Sequence, residues 1–229
     1  MYLIPLPVAE GALQTLSPEI TEHTGRLTHY FVEDARTARR FIKQLHPAMN
    51  VEPLQFSETG KHDSIDGKLF AQWIKEGHSI GIMSEAGCPG IADPGAELVA
   101  LAHTMQVDVV PLTGPSSIIL ALMASGLNGQ SFAFTGYLPV KDPLRGKRIK
   151  ELEALSAKER QTQAFIETPY RNNQLLTEVL KQCNATTRLC IAQNITAPNA
   201  FVKTKSVADW KKEIPVMEKA PAVFLILSQ

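Results

Sequence analysis

The sequence predicts an α/β protein of two domains, with a mainly parallel sheet in the first and a mixed sheet in the second. Three observations lead there. Through the first half, short apolar runs alternate with helical stretches of about ten residues, the pattern of parallel strands joined by crossover helices. In the second half the link between RLCIAQNI (188–195) and FVKTKSV (201–207) is short and contains Pro198 and Asn199. Such a link favours a hairpin, so part of that sheet is antiparallel. Finally, 229 residues suffice for two small domains. The division falls near Leu112–Ser116, giving domains 1–113 and 114–229.

The elements follow in order. YLIPLPV (2–8) reads as a strand broken by Pro5 and Pro7, and LTHYFVED (27–34) as a strand. RTARRFIKQLH (36–46) is a basic amphipathic helix ended by Pro47. VEPLQFS (51–57) suits a short strand, and Ile65 to Glu76 has helical spacing through Leu69, Phe70, Trp73 and Ile74. SIGIMS (79–84) is a near-continuous apolar strand. PGAELVALAHTM (94–105) is a helix with Asp93 as N-cap, Pro94 in the first position and Glu97 in the first turn. VDVVPL (107–112) follows as a strand. SSIILALMASG (116–126) is apolar on all sides, which predicts a buried helix capped by Gly126. SFAFTGY (131–137), TQAFIE (162–167) and APAVFLIL (220–227) read as strands, and PYRNNQLLTEVLKQC (169–183) as a helix. The charged stretch KDPLRGKRIKELEALSAKERQ (141–161) reads as a solvated helix or helix-loop.

Hydrophobic residues make up 44% and charged residues 20%, the balance of a soluble globular chain. No apolar run approaches the length of a membrane span, and MYLIPLPVAEGAL lacks the plan of a signal peptide. The formal net charge is zero, which argues against a surface basic throughout but leaves room for local basic patches. Cys88, Cys183 and Cys190 are an odd set without a CxxC pair, so free thiols in a reducing cytoplasm are expected.

Four stretches at the carboxyl ends of predicted strands attract attention, because open α/β sheets bind ligands there. SEAGCPGIADPG (84–95) combines Gly87, Gly90 and Gly95, which permit close backbone approach, with prolines that stiffen the loop. It matches neither a P-loop nor a dinucleotide fingerprint. Glu85, Cys88 and Asp93 lack a tetrahedral metal spacing, and no metal is expected. Nothing in the sequence places His78 or His103 beside Cys88 as a base, so a pocket-lining thiol is the better reading. In VEDARTARR (32–40), Glu33 and Asp34 precede Arg36, Arg39 and Arg40; the stretch reads as a capped basic helix or as a site that orients a polar or phosphate-bearing substrate. TGPSS (113–117) suits helix capping or a polar ligand group. ETPYR (167–171) lies at a fourth strand end.

Together these segments resemble the tetrapyrrole methylase superfamily of S-adenosylmethionine-dependent methyltransferases. They look most like its branch of small-subunit ribosomal RNA 2′-O-methyltransferases, which act on a cytidine ribose. Glu33-Asp34-Ala35-Arg36 matches that branch's Glu-Asp-Thr-Arg. Ser84 to Gly95 matches its Ser-Asp-Ala-Gly-Thr-Pro-Gly-Ile-Ser-Asp-Pro-Gly, with Glu85, Cys88 and Ala92 as changes. Gly114-Pro115-Ser116, Ala124 to Leu127, Gly136 to Pro139 and Glu167 to Arg171 match further elements in order. The resemblance implies two α/β domains with the cofactor in the interdomain cleft, and usually a homodimer. It makes Val8, Cys88, Gly90, Ile91, Ser117, Ile118, Ile166 and Asn194 cofactor-binding residues. Arg36, Arg39, Tyr170 and Arg171 become candidates for substrate binding, and Glu33, Asp34 and Glu167 for a catalytic base. Ribosomal RNA or the small ribosomal subunit would be the partner, and no membrane.

The sequence also departs from the branch. Its Gly-Asn-Leu-x-Asp after the first strand is Pro7-Val8-Ala9-Glu10-Gly11-Ala12-Leu13 here. Its Arg-Glu-Leu-Thr-Lys is Gln193-Asn194-Ile195-Thr196-Ala197. The lost charges leave a methyltransferase of the same fold acting on a small molecule or a protein as the alternative. A nucleotide-using binding protein or oxidoreductase is disfavoured by the missing glycine fingerprint.

Overall fold

The structure is a computed structural model that describes residues 1–59, 66–93 and 95–228. The chain divides into two compact units, Met1–Ser116 and Ser117–Gln229, against the sequence-based division at 113/114.

The first unit is a five-stranded parallel sheet of order β3-β2-β4-β1-β5. Its strands are β1 (Tyr2–Leu3), β2 (His29–Val32), β3 (Gln55–Glu58), β4 (Ile80–Met83) and β5 (Val110–Pro111). β1 is far shorter than the predicted 2–8 because Pro5 and Pro7 have no N–H to give a ladder; Ile4 N still donates to Ile82 O at 2.9 Å. Four helices cover the sheet: α1 (Pro18–Thr24), α2 (Ala35–Leu45), α3 (Gly67–Lys75) and α4 (Ala96–Thr104). Ile20 of α1 and Ala38, Phe41 and Ile42 of α2 pack on one face with Tyr30, Val32 and Met83. Phe70 and Trp73 of α3 and Leu98 and Ala102 of α4 pack on the other with Phe31, Ile80 and Ile82. α1 is absent from the sequence prediction although its signals are present: Ser17 at the N-cap, Pro18 after it, and Glu19 in the first turn. Two expectations about α4 and α3 end outside the described residues, namely Pro94 in the first position and Ile65 as the start. The predicted Asp93 cap is corrected: α4 starts after Gly95, with no side-chain cap bond.

The second unit holds a mixed sheet of order β6-β7-β10-β8-β9. Its strands are β6 (Phe132–Tyr137), β7 (Thr162–Glu167), β8 (Arg188–Gln193), β9 (Phe201–Ser206) and β10 (Ala222–Leu227). β6 and β7 are parallel, whereas β7–β10, β10–β8 and the β8–β9 hairpin are antiparallel. Helices α6 (Leu144–Glu159), α7 (Asn172–Gln182) and α8 (Val207–Lys212) lie on one face. Helix α5 (Ser117–Ser125) covers the other, through Ala121 and Leu122 against Ala164, Cys190 and Val223.

Three readings are corrected here. α5 is not buried all round, since Ile119 and Met123 are 42% and 74% exposed. α6 is not simply solvated: Ile149 and Leu152 enter the core, and Arg145 is buried beside Asp142, 3.5 Å away. β9 ends one residue early because the Ser206 hydroxyl accepts from Asp209 N at 3.1 Å and starts α8. That helix delivers Trp210 to the core, with Nε1 donating to Leu189 O at 2.9 Å.

Phe224 is fully buried against Phe165, ring centroids 6.0 Å apart. Phe224→Ala should cost about 3–5 kcal/mol, read from the midpoint of urea denaturation; a change under about 1 kcal/mol would mean the core of the second unit is misdescribed.

Candidate functional site

Strand order locates the ligand end of the first unit before any side chain is considered. β1 and β4 are neighbours, yet the chain leaves β1 toward β2 and leaves β4 toward β5 on the opposite side. Loops that diverge from adjacent parallel strands open a crevice at the carboxyl ends, the usual ligand position in open α/β sheets. The residues after β1 and the loop 84–95 after β4 form that crevice.

Backbone bonds stitch the two together. Leu6 N donates to Gly87 O at 2.9 Å and Gly87 N to Leu6 O at 3.1 Å, an isolated antiparallel bridge. Gly87 and Gly90 lie at φ +73° and +82°, and Ala92 also takes positive φ at +65°. A methyl group added at Gly90 would meet Ala96 N at 3.8 Å, ordinary van der Waals contact, so the site tolerates the volume but not readily the positive φ. The third wall is the stretch after β5. Gly114 lies so close to Pro5 that an added Cβ would come within 2.2 Å of the proline Cβ.

Between these walls lies a hollow of about 400 Å³ whose lining includes Pro5, Cys88, Gly90, Ile91 and Pro111. The Cys88 thiol donates to Pro115 O at 3.4 Å, and Gly114 O lies 3.8 Å away. Burial pushes this thiol up, which keeps it protonated and a poor nucleophile. His78 cannot serve it: that ring stacks on His29 at 3.9 Å, at the amino ends of β4 and β2. Val8 lines a second hollow, together with Glu10, Thr37, Arg40, Gln44 and Glu85, and its Cγ2 lies 4.0 Å from where a Cβ on Gly87 would stand. Arg40 stands among the candidate basic residues of the sequence, whereas Thr37 and Gln44 are not singled out by it. Their signal was available, since Thr37, Arg40 and Gln44 recur at helical spacing on one face of α2.

The acids after β2 differ in role. Asp34 caps α2, its Oδ1 accepting from Thr37 N at 2.6 Å. That donation holds its carboxyl below the usual carboxylate range. Glu33 reaches the loop, where its Oε2 accepts from Glu85 N at 3.3 Å. Arg36 and Arg39 are exposed, and the Arg39 guanidinium lies over Phe56, 4.7 Å from the ring centroid.

In the second unit, the carboxyl ends of β6, β7 and β8 and the amino end of β10 share one edge. Glu167 is buried there. Its Oε1 accepts from Thr168 N (2.7 Å), Arg171 Nε (3.0 Å) and Arg171 Nη2 (2.7 Å), while Oε2 is buried without a partner. The same bond raises the Arg171 guanidinium. Ile166 packs toward α5. Asn194, at φ +53°, follows β8 and donates from Nδ2 to Glu218 Oε2 at 3.0 Å. Ser117 and Ile118 open α5, Ile118 buried. Tyr170 is almost fully exposed.

The chain thus joins a parallel α/β unit that has a backbone-walled crevice to a mixed-sheet unit that has a polar strand end. The chain belongs to the tetrapyrrole methylase family: the model for Tetrapyrrole (Corrin/Porphyrin) Methylases matches residues 23–210. Among its relatives, Ribosomal RNA small subunit methyltransferase I of Vibrio cholerae is 28% identical over 99% of this chain and 76% of that one. The protein of the same name from Pasteurella multocida is 31% identical, covering 99% and 78%. In Bacillus subtilis the figures are 34% over 77% of this chain and 57% of that one. Among solved structures, cobalt precorrin-4 methyltransferase CbiF superposes with a TM-score of 0.62 at 14% identity, over 99% of this chain and 93% of that one. Uroporphyrin III C-methyl transferase from Thermus thermophilus gives 0.58 at 13%, covering 99% and 96%. At such identities the likeness shows the fold. Membership makes the chain a methyltransferase and S-adenosylmethionine its methyl donor.

The residues of the first unit suit that donor. A sulfonium needs neutral surroundings, and this crevice offers a protonated thiol, carbonyl oxygens and backbone bare of side chains at Gly87 and Gly90.

The cap assignment of Asp34 is testable. Asp34→Ala should lower stability by about 1 kcal/mol at neutral pH. Because the folded carboxyl sits below its unfolded value, the difference should be complete above the ordinary carboxylate range and vanish as pH falls through the folded pKa. Denaturation midpoints of both proteins across acid pH check it; a difference that persists below that range would reject the cap as its cause.

Proposed function

We propose that this protein transfers a methyl group from S-adenosylmethionine to a ribose 2′-hydroxyl of small-subunit ribosomal RNA. The observation that carries this reading is the match of 99% of the chain to relatives named for that RNA subunit. The cofactor-binding residues assigned are Val8, Cys88, Gly90 and Ile91 in the first unit and Ser117, Ile118, Ile166 and Asn194 in the second. Arg36, Arg39, Tyr170 and Arg171 are assigned to substrate. The reading also makes the protein a cytoplasmic homodimer; three unpaired cysteines and the exposed Ile119 and Met123 support those two points.

When bound, S-adenosylmethionine supplies an electrophilic methyl group whose carrier loses positive charge as the group departs. The protein's task is then to position the acceptor and avoid overbinding that charge, which neutral walls around Cys88 achieve. The acceptor hydroxyl must release a proton as its oxygen forms the new bond. Of the three candidate bases, Asp34 is committed to capping α2 and Glu167 is committed to Arg171. Glu33 stands at the crevice between β2 and the loop, and the role of base is assigned to it.

A second reading, methylation of a small molecule or protein, draws support from the neutral Gln193–Ala197 stretch and the zero net charge. Labelled methyl transfer to undermethylated small subunits separates the two; no incorporation by a protein that binds S-adenosylmethionine would favour the second.

Two further outcomes are expected. Ile91→Trp should abolish S-adenosylmethionine binding in calorimetry without moving the unfolding midpoint, since Ile91 is 48% exposed. Unchanged affinity would displace the assigned pocket. Gly90→Val is the poorer probe because its φ of +82° strains a β-branched residue. Glu33→Gln should lower kcat by about 10²–10⁴ while leaving cofactor affinity unchanged; a full-rate variant removes Glu33 as the base.

A further inference from the structure

We propose that the edge of the second unit's sheet carries a stacking platform for unpaired RNA bases, built from Tyr137 and Tyr170 and flanked by Arg171 and Lys219. The proposal rests on the RNA reading above and specifies how the RNA is held.

The two rings stand at the carboxyl ends of neighbouring parallel strands. Tyr137 closes β6 and pairs in register with Ile166, and Tyr170 lies four residues further along in the turn after β7. β6 carries a register irregularity between Phe134 and Tyr137, with Gly136 at φ +68°. Such a bulge re-aims the residue that follows. Tyr137 is 59% exposed and Tyr170 81% exposed. Rings this bare bury too little area to serve folding. Scattered apolar residues on a surface need no explanation, but here cations flank the exposed rings.

Lys219 Nζ lies 5.9 Å from the Tyr170 ring centroid. Arg171 is anchored by Glu167 through Nε and Nη2, so its plane is fixed. Tyr137 ends β6 and Arg171 lies in the turn after β7, so both stand at the carboxyl ends of two paired parallel strands. The acids nearby are engaged: Glu167 holds Arg171, and Glu218 accepts from Asn194 and Asn199 at 3.0 and 3.2 Å. Exposed aromatic faces interleaved with cations suit a strand that offers unstacked bases and phosphates. A duplex keeps its base faces inside and would not engage the rings. An apolar protein partner would leave Lys219 and Arg171 to be desolvated.

The test measures binding of the intact protein to an unstructured oligoribonucleotide and to a duplex of equal length, by fluorescence anisotropy. The single strand should bind more tightly. Tyr137→Ala and Tyr170→Ala should each weaken it roughly fivefold to hundredfold. Tyr170→Trp should retain affinity, because the stacking face is kept. Lys219→Met should lower the salt dependence of log K by about 0.7. Calorimetry with S-adenosylmethionine and the unfolding midpoint should be unchanged in all four variants, which sets aside misfolding. Equal affinity for duplex and single strand would overturn the platform. So would alanine variants that methylate small subunits with unaltered KM, which would leave the RNA reading standing. Alanine variants that shift the oligomeric state with no effect on RNA would assign the rings to a second copy of the chain. A wild-type protein that neither binds RNA nor methylates small subunits would sink the RNA reading itself, and the platform with it.

Discussion

The ligand end of the first unit depends on the two-bond bridge between Leu6 and Gly87. β1 is only two residues long because prolines interrupt its ladder, so the segment after it has no strand to hold it. Gly87 supplies the missing pairing. With φ at +73° it turns its N–H and C=O back toward Leu6, a conformation costly for a residue with a Cβ. Once that bridge forms, Gly114 can close against Pro5 and the Cys88 thiol can reach Pro115 O. The crevice is thus shaped largely by backbone, and its polar surface around Cys88 is carbonyl and thiol. That chemistry suits a cofactor whose charge must leave during the reaction, since a carboxylate in its place would stabilise the ground state.

The second unit is built on a different balance. Its core is well satisfied: buried Glu153 accepts from Asn184 N, Asn184 Nδ2 and the Thr187 hydroxyl. The edge that carries β7 and β8 outward is not. Glu167 Oε2, Asn172 Oδ1 and Thr196 Oγ1 are buried without partners, and Arg145, in the first turn of α6, leaves Nε and Nη1 unpaired. Gln163 Oε1, at the start of β7, is the same kind of exception at the other edge. Asn194 and Thr196 both adopt positive φ, at +53° and +73°, which is unfavourable for a β-branched threonine. The positive φ of Asn194 and Thr196 thus falls at the same end of the sheet as the buried Glu167, in conformations that the surrounding structure must hold.

Much of this was legible in the sequence, for identifiable reasons. Apolar runs such as Ile80–Met83 and Ala222–Leu227 are buried along almost their whole length, so period and burial agree. The motif residues 84–93 follow the end of β4, as the apolar run SIGIMS before them implies. The misreadings share a cause. α5 reads as wholly apolar, but only the sheet-facing side of a helix is covered by its own unit, and Met123 lies on the other. In α6 every second or third residue is charged, which hides the stripe of Ile149, Leu152 and Ser156 that faces the core. α1 and α8 are short helices, seven and six residues, fixed by Pro18 and by the Ser206 cap rather than by periodicity. Hollows cannot be read from strings at all: nothing in the sequence says that Val8 and Cys88 line different ones.

Charge placement bears on how a neutral chain could hold RNA. With 23 basic and 23 acidic residues, there is no general attraction to a polyanion, so any RNA affinity must come from local arrangement. The basic helix α2 is less available than its composition suggests. Arg39 is drawn over Phe56, and Arg40 lies 3.8 Å from Glu10 beside a polar hollow. The Lys141–Lys150 segment likewise loses Arg145 to burial. What remains is sparse, and sparse cations favour recognition in which contact with bases supplies part of the affinity. Loss of the charged residues around Asn194 and Thr196 then need not abolish RNA binding. Under the proposed RNA reading it would move the burden from phosphate neutralisation to stacking on the exposed Tyr137 and Tyr170.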